Sequence, residues 1–277
     1  MIIAVASGKG GTGKTTLAAA MAFAAPGPVR LLDCDVEEPN SHFFIQPMIE
    51  RTERVASLVP TVDPFRCTGC GKCAQLCQFN ALAALGGKVL VFPELCHSCG
   101  GCARICPTGA IKEIPRTIGI LEMGRHGNVE FVAGRMNVGQ AMSPPLIRAV
   151  KKHAMDSGLT LIDCPPGTAC PFVTAVRGCD AAILVTEPTP FGLHDLQLAV
   201  ATMRELGLPF GVVVNRANGL EHPVSEYCAV EGIQLLLQIP EDRHVAQAYS
   251  RGKLLTEVLP ELRDALSALP EQLGVLA

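Results

Sequence analysis

The sequence contains no tryptophan, and aromatic residues make up only 4% of its 277 residues. Its core must therefore be aliphatic, and 48% of the residues are hydrophobic. A formal net charge of −3 gives no electrostatic reason to expect a nucleic-acid or anionic-membrane partner. No apolar run approaches the roughly 18 residues of a membrane span, and the first residues lack the basic region of a signal peptide. We expect a soluble, cytoplasmic protein with no nucleic-acid or membrane partner.

Cysteine, by contrast, is abundant. The chain has 13 cysteines, and without an export signal these favour metal ligation over disulfides. Eight of them form two copies of a Cys-x₂-Cys-x₂-Cys-x₃-Cys pattern, whose first members, Cys67 and Cys96, lie 29 residues apart. Metal binding is therefore concentrated in one short part of the chain.

Apolar, strand-like segments alternate with helical patterns through most of the chain, which is typical of a parallel α/β sheet flanked by helices. The rhythm stops between about Pro60 and Arg116. We therefore predict one α/β domain, formed by residues 1–59 and 117–277, that is interrupted by a small cysteine-rich insert, residues 60–116. Strands are predicted at 1–6, 29–34, 159–163, 181–186, 210–215 and 234–239, a hairpin at 118–132, and helices at 14–25, 144–155, 193–206 and from 260.

A glycine-rich loop follows the first predicted strand and opens the first helix. Its backbone N–H groups can converge on phosphate oxygens, and the helix dipole favours the negative charge. Lys14 is expected to reach the β- and γ-phosphates of a nucleotide, and the Thr15 hydroxyl to ligate Mg²⁺. The expected binding residues are Gly8, Gly10, Gly11, Thr12, Gly13, Lys14, Thr15 and Thr16.

Lys9 departs from the generic phosphate-loop pattern. A lysine directly after the first glycine resembles the deviant P-loop of the MinD/ParA/Mrp/nitrogenase-iron-protein superfamily, and the resemblance extends over nearly all of the α/β portion. It implies that Lys9 and Lys14 are catalytic. It also implies that Lys9 reaches the nucleotide of a partner subunit, in a homodimer or related heterodimer with nucleotide at the interface.

Other segments carry the same resemblance. Asp35 matches the residue that orients the attacking water, and Asp163 matches the aspartate that holds Mg²⁺ together with Thr15. Asn215 and Pro240 lie in segments that resemble the adenine-binding ones. The resemblance therefore implies an ATP/ADP site, and the absence of a GTPase-like Asn-Lys-x-Asp motif favours ATP over GTP.

The duplicated cysteine pattern is that of bacterial ferredoxins, in which each half supplies three cysteines to one cubane and a fourth to the other. We therefore predict a ferredoxin-like α+β insert with two [4Fe–4S] clusters. Zinc knuckles are the alternative, although zinc sites favour separated cysteine pairs. Gln78 follows Cys77, where the pattern expects proline. Cluster 1 is assigned to Cys67, Cys70, Cys73 and Cys106, and cluster 2 to Cys77, Cys96, Cys99 and Cys102.

The whole arrangement resembles MinD-superfamily ATPases with an inserted ferredoxin domain. It implies a slow, Mg²⁺-dependent ATPase that couples its nucleotide state to electron transfer through two clusters towards a redox partner. The alternative is ATP-dependent assembly or delivery of a metal–sulfur cluster to an apo-metalloprotein. A spatial regulator is a third possibility, which the lack of a basic amphipathic tail disfavours. Cys164 and Cys170 leave open a metal site that bridges two subunits.

Overall fold

The computed structural model describes residues 1–219, 222–249 and 251–274. The strands in these residues are β1 (Ile2–Ala6), β2 (Val29–Asp33), β3 (Met48–Val62), β4 (Leu82–Leu85), β5 (Lys88–Val91), β6 (Ile111–His126), β7 (Val129–Met136), β8 (Leu159–Asp163), β9 (Ala181–Thr186), β10 (Phe210–Ala217) and β11 (Leu235–Pro240). The α-helices are α1 (Lys14–Ala24), α2 (His42–Ile45), α3 (Lys72–Leu76), α4 (Gly101–Ile105), α5 (Pro144–Lys151), α6 (Cys170–Val176), α7 (Pro190–Leu206), α8 (Pro223–Glu231), α9 (Arg243–Tyr249), α10 (Leu255–Val258) and α11 (Leu262–Gly274).

Nine of these strands form one sheet in the order β11-β10-β9-β1-β8-β2-β7-β6-β3. Strand β1 pairs in parallel with β8 and β9, β2 with β7 and β8, and β10 with β9 and β11. The central strands are continuous apolar runs because parallel strands are covered on both faces. The predicted α/β fold with a mostly parallel sheet is confirmed.

Helix α1 packs against the sheet through small side chains. Ala18, Ala19 and Ala20 are fully buried, so the helix can approach the sheet closely. They belong to an aliphatic core that includes Ile3 of β1 and Leu269 of α11. This packing fixes the start of α1, where the phosphate loop ends.

Two predictions about secondary structure need correction. Strand β3 was not predicted, because its first half, Met48–Arg54, contains charged residues such as Glu50 and Glu53 and shows no apolar alternation. It lies at the end of the strand order, where strands tolerate a proline such as Pro60. The predicted hairpin joins strands 118–123 and 129–132 across a turn at 124–128, but in the structure only Gly127 and Asn128 separate β6 from β7.

The chain divides into two compact units. The first comprises Met1–Thr52, Leu121–Arg135 and the residues from Ile147 onward, and the second comprises Glu53–Ile120 and Met136–Leu146. The predicted insert, residues 60–116, lies within the range of the second unit, and its boundaries stay a prediction. The last three residues of the predicted C-terminal segment, 275–277, lie outside the described residues.

The second unit contains a structural repeat. Helices α3 and α4 each follow a glycine in the left-handed region, Gly71 with φ 73° and Gly100 with φ 70°. Two more left-handed residues recur at the same 29-residue offset, Gly69 with Ser98 and Asn80 with Gly109. Strands β4 and β5 form an antiparallel pair in this unit. The repeat of the cysteine spacing is thus also a repeat of backbone conformation.

No helix in the described part of the chain is long and apolar enough to cross a membrane.

Candidate nucleotide and cluster sites

The phosphate loop connects the end of β1 to the start of α1. Gly13 has φ 97° and directly precedes the helix, a conformation that side chains disfavour. At Gly8 a Cβ atom would lie 2.1 Å from the Asp195 carbonyl oxygen, so only glycine fits there. Lys14 is 6% exposed and is the first residue of the helix. This strand–loop–helix geometry is that of a phosphate-binding loop.

Asp163 lies beside the loop at the carboxyl end of β8. Its Oδ2 accepts a hydrogen bond from Ser41 Oγ at 3.0 Å, whereas its buried Oδ1 has no hydrogen-bond partner. Burial raises the pKa of Asp163, while Lys14, the Thr15 hydroxyl and the Ser41 hydroxyl lower it. A carboxylate oxygen without a partner, next to a threonine hydroxyl, is a donor set that fits Mg²⁺.

Two further carboxylates lie close to Asp163. Asp33 is its register partner on β2, and burial together with Asp163 raises the pKa of Asp33 well above its ordinary value. Asp33 also accepts hydrogen bonds from the amides of Asp35 (3.1 Å) and Ser41 (3.0 Å). For Asp35, burial and then Asp163 raise the pKa to about 6, against the influence of Lys14. The structure thus brings Lys14, Asp35 and Asp163 together, and their roles stay a prediction.

Asn215 contacts the phosphate loop directly. Its Nδ2 donates a hydrogen bond to the Thr12 carbonyl oxygen at 2.9 Å and lies 2.4 Å from where a Cβ of Gly13 would be. The side chain predicted to bind adenine therefore also supports the loop. Pro240, at the end of β11, is the register partner of Ala217 on β10.

Lys9 forms an ion pair with an acidic residue that the sequence did not predict to belong to the site. Lys9 Nζ lies 3.2 Å from Glu187 Oε2, and Arg216 pairs with the other oxygen of the same carboxylate. The Glu187 side chain is 12% exposed. This carboxylate links the phosphate loop to the residue after Asn215. Neither Glu187 nor Ser41 lies in a spacing pattern that would have revealed its role.

The eight cysteines of the repeat separate into the two predicted groups. One cavity is lined by the four assigned to cluster 1: Cys67, Cys70, Cys73 and Cys106. A second cavity is lined by the four assigned to cluster 2: Cys77, Cys96, Cys99 and Cys102. Cys73 also lines this second cavity. The fourth cysteine of each half therefore faces the cavity of the other half.

The electrostatic neighbours of the thiols show the same grouping. Burial raises the pKa of Cys73, and the thiols of Cys106 and Cys67 raise it further. Burial likewise raises the pKa of Cys96, as do Cys99 and Cys77. Four soft sulfur donors around a cavity suit an iron–sulfur cluster. Within the described residues no three His, Cys, Asp or Glu side chains are arranged to hold a single metal ion, and the clusters stay a prediction.

The remaining candidates are not brought together. Cys164 is fully buried, and its thiol lies 3.7 Å from the Ile162 carbonyl oxygen. Cys170 is exposed at the start of α6. His97, an exposed residue in a cysteine loop, stacks on Phe79.

A phosphate loop at the end of a parallel strand, beside buried aspartates at the ends of the neighbouring strands, defines a P-loop nucleotide-binding protein. The chain belongs to the CobQ/CobB/MinD/ParA nucleotide-binding domain family, whose model matches residues 3–255.

Comparisons with individual proteins agree with this assignment. An uncharacterized protein of Methanocaldococcus jannaschii is 30% identical over 99% of this chain and 96% of its own length. An iron-sulfur cluster carrier protein of Aquifex aeolicus is 26% identical over 97% of this chain and 65% of its own length. The septum site-determining protein MinD of Pyrococcus horikoshii, solved with Mg-ADP, shares the fold, with a TM-score of 0.59, 21% identity and coverage of 100% of this chain and 98% of that one.

Proposed function

We propose that this protein is a Mg²⁺-dependent ATPase that assembles or delivers [4Fe–4S] clusters to an apo-metalloprotein. The observation that carries the proposal is the division of eight cysteines between two cavities in a chain that also has a P-loop. The relative named as an iron-sulfur cluster carrier supports delivery over the other functions of the family.

In the nucleotide site each residue has a separate task. The amides of the loop and Lys14 bind the phosphates, and Thr15 with the unpartnered oxygen of Asp163 holds Mg²⁺. When bound, the metal ion neutralises charge that develops on the phosphates. Asp35 orients the attacking water, and its pKa of about 6 leaves it ionised at neutral pH. Asn215 keeps the loop in place through Thr12.

In the second unit the cysteine thiolates hold the clusters. Cys67, Cys70, Cys73 and Cys106 form one site, and Cys77, Cys96, Cys99 and Cys102 form the other. A bound cluster supplies either a transferable iron–sulfur unit or an electron carrier. The amides of Ser98 and Ala110 donate hydrogen bonds to Cys96 Sγ (3.4 Å) and Cys106 Sγ (3.3 Å). At Cys106, hydrogen bonds from Thr108 and Ala110 outweigh burial and lower the pKa, whereas at Cys96 burial outweighs the hydrogen bond.

Electron transfer is the second candidate function. It is favoured by one observation: Cys73 lines both cavities, so the two clusters would be close neighbours. Such a pair suits electron passage, whereas a carrier needs only one site that releases its cluster.

We also propose that the ATPase works as a homodimer or a related heterodimer with nucleotide at the interface. Lys9, the residue expected to reach the partner's nucleotide, has a side chain that is 31% exposed. Analytical ultracentrifugation with a non-hydrolysable ATP analogue should show dimers of the wild type and monomers of Lys9→Ala. Monomers of the wild type under these conditions would contradict this part.

Cluster lability separates the two candidate functions. Anaerobically purified protein should contain about eight iron and eight sulfide ions per chain, and incubation with an apo-[4Fe–4S] enzyme should restore that enzyme's activity. Clusters that cycle reversibly and never leave the protein would instead favour electron transfer. Colourless, zinc-loaded protein would contradict both.

A further inference from the structure

The two halves of the cysteine repeat differ at positions that face the cavities. The cysteines and the left-handed residues match at an offset of 29 residues. At the same offset, however, Thr68 in the first half corresponds to His97 in the second, and Phe79 corresponds to Thr108. At each of these two repeat positions, one half has a threonine and the other half has an aromatic ring.

These residues separate by cavity. Thr68 and Thr108 line the first cavity, whereas Phe79 and His97 line the second. The two rings stack, with centroids 3.5 Å apart and planes inclined by 7°. The Thr108 hydroxyl instead lies 3.7 Å from Cys106 Sγ. One site therefore has a wall of stacked rings, and the other has hydroxyl groups in the same two places.

We propose that the Phe79–His97 stack is a lid that shields the second cysteine site and makes the two cluster sites inequivalent. The second site retains its cluster, and the first site, at the threonine hydroxyls, is the one that exchanges. This inference rests on the clusters of the proposed function and specifies which site delivers.

The physical basis is access of water and small reagents. Both rings are exposed residues that also line the cavity, so they form part of the boundary between the second site and solvent. Apolar groups around a metal site control its access to solvent and the local dielectric. Hydroxyl groups, in contrast, hydrogen-bond water and leave the first site open to it. The depth of the cysteines does not make the difference, because Cys70 and Cys99 are both exposed while Cys73 and Cys102 are both buried.

The test measures iron release from the anaerobically loaded full-length protein to a ferrous chelator. Wild-type protein should release iron in two phases of equal amplitude whose rates differ about tenfold. Cys99→Ser should remove the slow phase and Cys70→Ser the fast one, which assigns the phases. Replacing both rings, Phe79→Thr with His97→Thr, should accelerate the slow phase to the rate of the fast one.

Phe65→Thr is the matched control, because Phe65 is 98% exposed and lines neither cavity. It should leave both phases unchanged, and circular dichroism should show that each variant is folded. Single-phase release of all iron by wild type, or a ring variant that lowers only the melting temperature, would overturn the lid. Two-phase release without transfer to an apo-enzyme would preserve the lid and contradict delivery. Transfer with single-phase release would support delivery and contradict the lid. Iron-free protein would contradict both proposals.

Discussion

Lys9 and Glu187 form an ion pair of 3.2 Å between the phosphate loop and the segment after β9. Glu187 also pairs with Arg216, so one carboxylate of 12% exposure compensates two cations. The pair connects the loop to the end of β10, where Asn215 supports the loop from a second side. The phosphate loop is therefore held before any nucleotide arrives.

Glu187→Gln should lower the free energy of unfolding by about 1–2 kcal/mol, because it removes the charge that both cations share. The matched control is Glu231→Gln in the more exposed Arg204–Glu231 pair, which should cost about 0.5 kcal/mol or less. Urea unfolding of both variants measures the difference. Equal losses of unfolding free energy would show that the Glu187 ion pairs stabilise the protein no more than the exposed pair does.

Asn215→Asp should weaken ADP binding about tenfold. The carboxylate cannot donate to the Thr12 carbonyl oxygen, which Asn215 Nδ2 now contacts at 2.9 Å. Asn218→Asp introduces the same charge at an exposed position nearby and should leave affinity unchanged. Calorimetric titration distinguishes the two. If both variants lose affinity equally, the added charge is responsible and not the hydrogen bond.

Asp35 should make stability depend on pH. Its pKa of about 6 in the folded protein lies above its ordinary value of 3.8, so the folded state holds a proton that the unfolded state releases between these values. The free energy of unfolding should therefore fall as pH rises from about 4 to 6.

Asp35→Asn should reduce this dependence, to which the raised pKa values of Asp33 and Asp163 also contribute, and should stabilise the nucleotide-free protein at pH 8 by about 1–2 kcal/mol. Glu37→Gln, at an exposed position of the same segment, should weaken this dependence only slightly, because the Glu37 charge is the smallest of the influences on the pKa of Asp35. Thermal unfolding across this pH range checks both variants. An unchanged slope in Asp35→Asn would assign the titration to another group.

The sequence predicted the central strands well because each is a short apolar run. Strand β9, for example, is buried at every position from Ala181 to Thr186. It did not predict β3, whose first half is mostly exposed and contains charged residues between apolar ones. The hydrophobic pattern of a segment reflects which of its side chains are buried. An edge strand with few buried side chains therefore has only a weak pattern.

The sequence predicted some residues of the candidate site and missed others. The spacing of the phosphate loop and of the cysteines is local, so motifs could group Lys14 with its loop and assign the cysteines to two sets, whose role as cluster ligands stays a prediction. Ser41 and Glu187 act through contacts to residues far along the chain, Asp163 and Lys9. Only the fold brings such pairs together. The Phe79–His97 stack is a similar case, since the cysteine pattern does not specify the residue at either position.

The most direct test of the account is whether nucleotide hydrolysis drives cluster delivery. Loaded wild-type protein and Lys14→Ala should be mixed with an apo-[4Fe–4S] enzyme, with and without Mg-ATP, and recovery of the enzyme's activity followed over time. Loss of the buried Lys14 charge should weaken ATP binding roughly 10- to 100-fold. We expect ATP to accelerate cluster transfer from the wild-type protein and not from Lys14→Ala. Equal transfer from both proteins, with or without ATP, would contradict the account.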